Sequence, residues 1–187
     1  MKKRLQQRER AIDAIAKAML ADGLSKTSLR QLAAAADVSD RMLLYYFEDK
    51  DDVIAAALGK ITTDLAAELE RITPANETAP AHALFEQAAK LTMGATLAPY
   101  MRISVELAAA AARNEEPFAT LSAQIAKGFV TWTEQRLSGP SGPQRRALAA
   151  MIIAMIDGLA VLQASAGKAT AEIAAREMAS VLKAVRP

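Results

Sequence analysis

Residues 27–47 read TSLRQLAAAADVSDRMLLYYF. Two short runs with helical periodicity are separated here by a polar turn, and each is preceded by a serine suited to the cap position of a helix. Ser28 followed by Gln31 matches a capping box, while Leu29, Leu32, Ala33 and Ala36 give the first run an inward face. Asp37 and Val38 make a tight turn whose valine plugs the core. Ser39 then caps the second run, in which Leu43 and Phe47 face inward and Asp40, Arg41, Met42, Tyr45 and Tyr46 point outward. Helices this short are unstable alone, so the pair needs neighbours and a purpose. The layout is that of a helix-turn-helix, in which the first helix braces and the second enters the DNA major groove with its N-terminal side chains on base edges.

The chain has one Trp, three Tyr and four Phe, and it spends three of these eight aromatics consecutively at Tyr45, Tyr46 and Phe47. Phe47 reads as the core anchor. Tyr45 and Tyr46, amphipathic and at the end of the reading helix, are expected to lie against the sugar-phosphate backbone, with plain core packing the competing reading for one of the two. Net charge is only +2, yet residues 1–30 hold eight basic side chains (Lys2, Lys3, Arg4, Arg8, Arg10, Lys17, Lys26 and Arg30) against three acidic ones (Glu9, Asp13 and Asp22). That asymmetry is the footprint of a polyanion-binding end, and Lys3 and Arg4 are its foremost candidates.

Outward from this segment the composition is rich in Ala, Leu, Met, Glu, Gln and Arg, and the legible periodicity is helical throughout, as in Leu5, Ile12, Ile15 and Met19. Breakers divide the chain into about nine helices, an all-α fold. The first, over about 3–21, stops at Asp22-Gly23. The two short ones, about 28–36 and 39–46, are followed by a long one that starts after Asp49 and runs to Pro74. Others cover roughly 80–97, 99–113 and 117–137, before SGPSGP (138–143) interrupts. The last two span about 144–165 and 170–185. In the penultimate helix Leu148, Met151, Ile152, Met155, Ile156, Leu159 and Leu162 form a broad apolar face, beside a ridge of Ala147, Ala150, Ala154 and Gly158. The last helix continues with Ile173, Met178, Val181, Leu182 and Val185. Both faces either complete the core or pair with a second copy in a four-helix contact.

The stretch from about Ala11 to Leu58 resembles the DNA-binding domain of TetR-family transcriptional regulators. The resemblance is carried, in order, by ADGLSKTS, LRQLAAAADVS, a short helix closing on YYF, and FEDKDDVIAAAL, with "IDGL" in the penultimate helix in support. It implies a three-helix helix-turn-helix domain over 1–49 and an effector-binding and dimerisation domain over 50–187. It further implies that Thr27 and Ser28 hydrogen-bond phosphate, that Arg30 reaches a base, that Asp40, Arg41 and Met42 read bases beside the capping Ser39, and that Lys50 holds phosphate. A lysine at a helix start suits that role, because the helix terminus itself favours anions. Two departures from the family stand out. Asp37 replaces a common glycine in the turn, and Leu44 replaces a tyrosine that touches phosphate, so that Tyr45 or Tyr46 takes over that contact or it is lost. Asp40 either accepts from a cytosine amino group or caps the helix.

The same resemblance implies a double-stranded operator, a homodimer and a small-molecule effector, here unidentified and apolar, enclosed by the C-terminal helices. Candidate wall residues are Met93, Tyr100, Met101, Phe118, Phe129 and Trp132, flexible or aromatic groups that equally suit a core. Candidate dimer residues are Ala150, Ala154, Asp157, Gly158, Val161, Met178 and Val181. Asp157 lies in an otherwise apolar helix, either at a solvent edge or at the dimer seam with a polar partner. The expected function is a ligand-responsive repressor that binds a palindromic operator. The alternative is an all-helical ligand-binding or scaffold protein of the same fold without sequence-specific DNA binding.

An enzyme is the least favoured class. The chain has no cysteine and one histidine, His82, and its paired carboxylates (Asp51 with Asp52, Glu115 with Glu116) stand at expected helix starts. No cofactor or metal is expected. The basic N-terminus lacks the apolar run of an export signal, and 147–162, broken by Asp157, is expected to fall short of a membrane span, which points to the cytoplasm.

Overall fold

The structure is a computed structural model that describes residues 2–184; Val185 lies outside them. Nine α-helices are present among the described residues: α1 (Lys2–Asp22), α2 (Leu29–Ala35), α3 (Asp40–Tyr46), α4 (Lys50–Ile72), α5 (Ala81–Thr92), α6 (Ala98–Ala112), α7 (Phe118–Arg136), α8 (Gly142–Ala166) and α9 (Lys168–Ala184). A single 3-10 turn, Leu24–Lys26, joins α1 to α2 and was not evident from periodicity. The chain is all-α, with one isolated bridge between Ala79 and Leu137. The expected helix over 80–97 ends early, at Thr92. Met93 caps it, the Gly94 amide turns back onto the Leu91 carbonyl at 3.0 Å, and the helix restarts only where Pro99 can stand in a first turn.

Two compact units are distinguishable, Met1–Glu68 with Glu106–Ser122, and Leu69–Val105 with Ala123–Pro187. In the first, local hydrogen bonds define each short helix. Gly23, at φ 82°, ends α1 with its amide on the Met19 carbonyl at 2.8 Å. Its missing side chain makes room for Glu106, whose carboxylate would lie 2.5 Å from a β-carbon there and accepts from the Leu24 amide. The capping box of α2 is complete: the Gln31 amide donates to Ser28 Oγ at 3.4 Å and the Ser28 amide to Gln31 Oε1 at 3.2 Å. At its other end the Val38 amide reaches the Ala33 carbonyl and the Asp37 amide the Ala34 carbonyl. This paired closure places Asp37 in the left-handed region, at φ 54°, where the shared turn geometry favours glycine and aspartate is tolerated. Val38 is half-buried, so it packs at the core edge and does not plug it.

Around these helices the interior is made by Ala11, Ile15 and Met19 of α1, Leu32 and Ala33 of α2, Leu43, Tyr46 and Phe47 at α3, and Val53, Ile54, Ala57, Leu58, Ile61 and Leu65 of α4. Leu5, read as part of α1's apolar stripe, is exposed. α4 starts on its own acidic residues: Asp49 accepts from the Asp52 amide at 2.8 Å, and Asp52 from the Glu48 amide at 3.1 Å.

In the second unit α5, α8 and α9 pack on one another around Leu84, Phe85, Ala89, Ile152, Ile156, Leu159, Ala171, Ala175, Ala179 and Leu182. A buried arginine closes its other end. Arg136 is 1% exposed, donates from Nε to the Thr73 carbonyl at 2.7 Å and from Nη1 to the Trp132 carbonyl at 3.0 Å, and pairs through Nη2 with Glu70. Its guanidinium also lies 3.9 Å from the Trp132 ring centroid. Burial lowers its proton affinity and the Glu70 carboxylate opposes that shift. One expectation about α8 is corrected. Its 25 residues include a window long and apolar enough to cross a membrane by length and composition, because a single Asp157 removes little from so many Ala, Ile and Met residues. Only 22% of that window is buried inside the chain.

Candidate nucleic-acid interface

The exposed side of the helix-turn-helix follows from which residues of α3 the core takes. Leu43, Tyr46 and Phe47 are buried, so at about 100° per residue the opposite, solvent-facing centre falls on Arg41 and Tyr45, with Met42 and Leu44 to either side. Arg41 is exposed, and Met42, Leu44 and Tyr45 are 40, 44 and 56% exposed. Ser39 caps the helix, its Oγ accepting from the Met42 amide at 3.2 Å. That settles one alternative. Asp40 is not the cap; it is an exposed first-turn carboxylate whose charge the helix N-terminus favours.

The basic start of α1 lies against this same helix. The Arg4 guanidinium stands 4.8 Å from the centroid of the Tyr45 ring, and Arg8 lies 4.6 Å from that of Phe47 while reaching Asp52 at 3.7 Å. Tyr45 is therefore an exposed ring stacked against a cation. Lys50, exposed at the start of α4, keeps its ammonium 4.0 Å from Asp51, a loose pairing that leaves it open to other anions. Lys3 and Arg30 are exposed on α1 and α2.

One expectation is corrected here. Tyr46 does not point outward: it is 6% exposed, edge-on to Tyr45, and its hydroxyl donates to Gln7 Oε1 at 2.7 Å. The inward turn of α3 gives it to the core, leaving Tyr45 as the tyrosine able to reach a phosphate. Thr27 and Ser28 have spent their hydroxyl protons locally, Thr27 on the Leu24 carbonyl at 3.1 Å and Ser28 on Gln31 Oε1 at 2.6 Å. In this arrangement the two hydroxyls hold the turn and the cap.

Among the effector candidates, Met93, Tyr100, Met101, Phe118, Phe129 and Trp132 are all half-buried. Phe118 belongs to the first unit and the other five to the second. Trp132 carries the Arg136 guanidinium on its ring and holds a buried indole N–H without a hydrogen-bond partner among the described residues. Of the dimer candidates, Ala150, Ala154, Asp157, Gly158 and Val161 form an exposed stripe along α8 and Val181 is exposed on α9, whereas Met178 is half-buried against the core. Asp157 is on the exposed side, yet its apolar surroundings desolvate the carboxyl enough to raise its pKa above the usual aspartate value.

Sequence reasoning missed the neighbours that orient this surface: Gln7 under Tyr46, Arg8 over Phe47 and Glu106 on the Leu24 amide. It also treated Leu44 only as a lost contact, whereas the residue is a prominent part of the exposed face. The helical angle of Leu44 relative to Leu43 was the available signal.

Residues 11–57 match the family model described as bacterial regulatory proteins, tetR family. No curated protein matches the chain in sequence. Among solved structures, a transcriptional regulator from Rhodococcus sp. Rha1 is 24% identical, with 96% of this chain and 99% of that one covered and a TM-score of 0.74. A TetR-family regulator from Cytophaga hutchinsonii is 13% identical, covering 100% and 98%, with a TM-score of 0.78. The transcriptional regulator FadR from Bacillus subtilis, in complex with stearoyl-CoA, is 16% identical, covering 92% and 97%, with a TM-score of 0.67. At these identities the likeness is one of fold. Residues 11–57 therefore match the DNA-binding region of tetR-family bacterial regulatory proteins, and the fold of the chain is like that of solved regulators of this kind.

Proposed function

We propose that this protein is a ligand-responsive DNA-binding regulator, a repressor that binds a palindromic operator as a homodimer and is released by a small molecule. The observation that carries the reading is the division of labour in α3. Its inward residues complete the fold, its cap is supplied by Ser39, and its outward centre is left to Arg41 and to Tyr45 backed by Arg4. Arg41 then reads a base edge, with Asp40 and Met42 beside it; Tyr45, Arg4, Lys3 and Lys50 hold the backbone, and Arg30 stands at the edge of the same face. Residues 1–49 act as the DNA-binding domain and 50–187 as the effector-binding and dimerisation domain.

The effector is an apolar small molecule, received by half-buried groups of the second unit such as Met93, Tyr100, Met101, Phe129 and Trp132. The stearoyl-CoA held by the B. subtilis regulator supports an apolar ligand in this fold. A second copy covers the exposed stripe Ala150, Ala154, Asp157, Gly158 and Val161 with Val181 and the edge of Met178, an isologous contact that sets the spacing of two half-sites. The protein is cytoplasmic and without catalytic activity in this reading.

Selection of bound duplexes from a random pool by the purified protein, at two salt concentrations, tests the proposal. The expected result is a two-fold symmetric motif whose affinity falls steeply with salt. A second reading, a ligand-binding protein of this fold without sequence-specific DNA binding, is favoured by exposed Leu44 and by the spent hydroxyls of Thr27 and Ser28. Absence of any selected sequence, with an intact dimer, would establish it instead.

A further inference from the structure

Among the described residues of the first unit, the large hydrophobic side chains left exposed are Leu5, Met42, Leu44 and Tyr45. All four stand at α3 or at the start of α1, and the Arg4 guanidinium covers the ring of Tyr45. An exposed leucine or methionine is ordinary when scattered. Here the exposure is concentrated at one helix of seven residues that carries Arg41 and has Arg4 stacked on Tyr45, while the unit's other large apolar groups, among them Ile12, Leu20, Leu29 and Phe118, are buried or half-buried.

The angular positions within α3 give the concentration a pattern. Taking Arg41 as the reference, Met42 lies about 100° round the helix on one side and Leu44 about 60° on the other, one turn further on. Arg41 thus has an apolar side chain on either side of it, with Tyr45 at about 40° on the Met42 side. Arg41, Arg4 and Lys50 draw this surface toward a polyanion. In the major groove of double-stranded DNA, the apolar group on a base edge is the C5-methyl of thymine.

We infer that Met42 and Leu44 are base-reading residues of the apolar kind, each seating the C5-methyl of a thymine in the half-site, on either side of the base pair contacted by Arg41. The inference rests on the DNA-binding reading above and adds to it the chemistry of the site that is read. Leu44 on this account is a reader that has replaced a backbone contact, while the backbone contact has moved to Tyr45.

The test uses the full-length protein and the duplexes it selects. Each thymine in the selected half-site is exchanged in turn for deoxyuridine, which pairs identically and lacks only the methyl group, and Arg41→Ala locates the base pair at which specificity relaxes. The expected result is an affinity loss of about four-fold at one thymine on each side of that base pair, the effect of withdrawing one methyl from an apolar contact. Met42→Ala should then bind the thymine and deoxyuridine duplexes equally at one of these positions, and Leu44→Ala at the other. Both side chains are exposed, so the variants should fold, and neither should change the slope of affinity against salt. Deoxyuridine duplexes that bind as tightly as the parent at every position would overturn the inference, as would discrimination that survives in both variants. A selected motif without thymines, or strong but sequence-blind binding, would overturn it while leaving DNA binding in place. No DNA binding at either salt concentration would remove the reading on which it rests, and the inference with it.

Discussion

Two parts of this molecule leave large apolar side chains in water, and their surroundings differ. On α3, Met42, Leu44 and Tyr45 stand with Arg41 between them, Arg4 stacked on Tyr45 and Lys50 at the next helix start, and with Asp40, Glu48 and Asp49 as exposed carboxylates in the helix and the turn after it. On α8 and α9, Met151, Val161, Ile173 and Val181 are exposed around the small residues Ala150, Ala154 and Gly158, with Asp157 the charged group in the α8 stripe. Apolar groups beside arginine and lysine suit a polyanion that carries methyl groups on its surface. Apolar groups beside a ridge of small residues suit a close helix-to-helix contact, and the isolated carboxyl there is already poorly solvated. Exposure alone therefore says little; under the proposed function, the charged groups around each patch are what would separate a DNA-reading surface from a self-association surface.

The comparison requires that the second unit be complete inside, so that the open face of α8 is a surface and not an unfinished core. Arg136 is the sharpest probe. Arg136→Ala opens a cavity and strands the Thr73 carbonyl, and should cost about 3 kcal/mol of stability. Arg136→Lys should recover little of it, because an ammonium lacks the planar fork that serves three partners at once. Denaturant unfolding checks this: the midpoint should fall with the slope unchanged.

A charge placed on the open face comes next. Val161→Glu buries one carboxylate from each copy at the seam, and the dimer should dissociate with a constant raised at least about a hundredfold. Sedimentation across a concentration series measures it. Leu44→Glu, the matching change on α3, should leave the mass unchanged and abolish DNA binding. A Val161→Glu protein that remains a dimer would show that the exposed apolar residues of α8 are not the contact, and the distinction between the surfaces would fail.

Within the reading surface the expected effects are smaller and divide by role. Arg41→Ala should weaken binding to the selected duplex by about ten- to a hundredfold, and relax preference at one position per half-site. Lys50→Ala should weaken binding to all sequences alike and reduce the salt slope by about one. Competition binding against shuffled duplexes separates the two. Equal effects of both variants on all sequences would remove Arg41 from base reading.

The features that made α3 legible from sequence are local. Ser28 with Gln31, Ser39 with the Met42 amide, and Asp37 in the turn each act over three or four residues, so spacing alone identifies them. What spacing could not supply are contacts between distant segments. Tyr45 and Tyr46 are chemically alike and adjacent; Gln7, 39 residues away, takes one hydroxyl and Arg4 covers the other ring. Arg136 gave no sequence signal, because Glu70 and Thr73 lie 66 and 63 residues away. The early end of α5 was hidden in a run of good helix formers where only Gly94 and the distant Pro99 speak against continuation. On α8 the periodicity gave both an apolar face and a small-residue ridge, and packing against α5 and α9 decided which was buried.

The smallest expected effect bears on why the two apolar surfaces differ. Desolvation raises the pKa of Asp157 in the folded chain, so the folded state holds this proton more tightly than the unfolded one. Stability therefore falls as pH rises through the unfolded value toward the raised folded value; the penalty is fully present above the folded value and absent below the unfolded one. Asp157→Asn removes the group that titrates. The variant should be more stable than the parent at neutral pH, and the advantage should vanish as pH is lowered past the ordinary aspartate value. If a second copy covers the same stripe, it desolvates the carboxyl further, so dimer dissociation should carry the same sign: a tighter dimer at lower pH for the parent, and a weaker pH dependence for Asp157→Asn. Paired thermal melts and sedimentation at two pH values read both quantities. Parallel behaviour of the two proteins at both pH values would mean that the carboxyl is well hydrated, and α8 would then lack the closed, apolar surroundings that set it apart from α3.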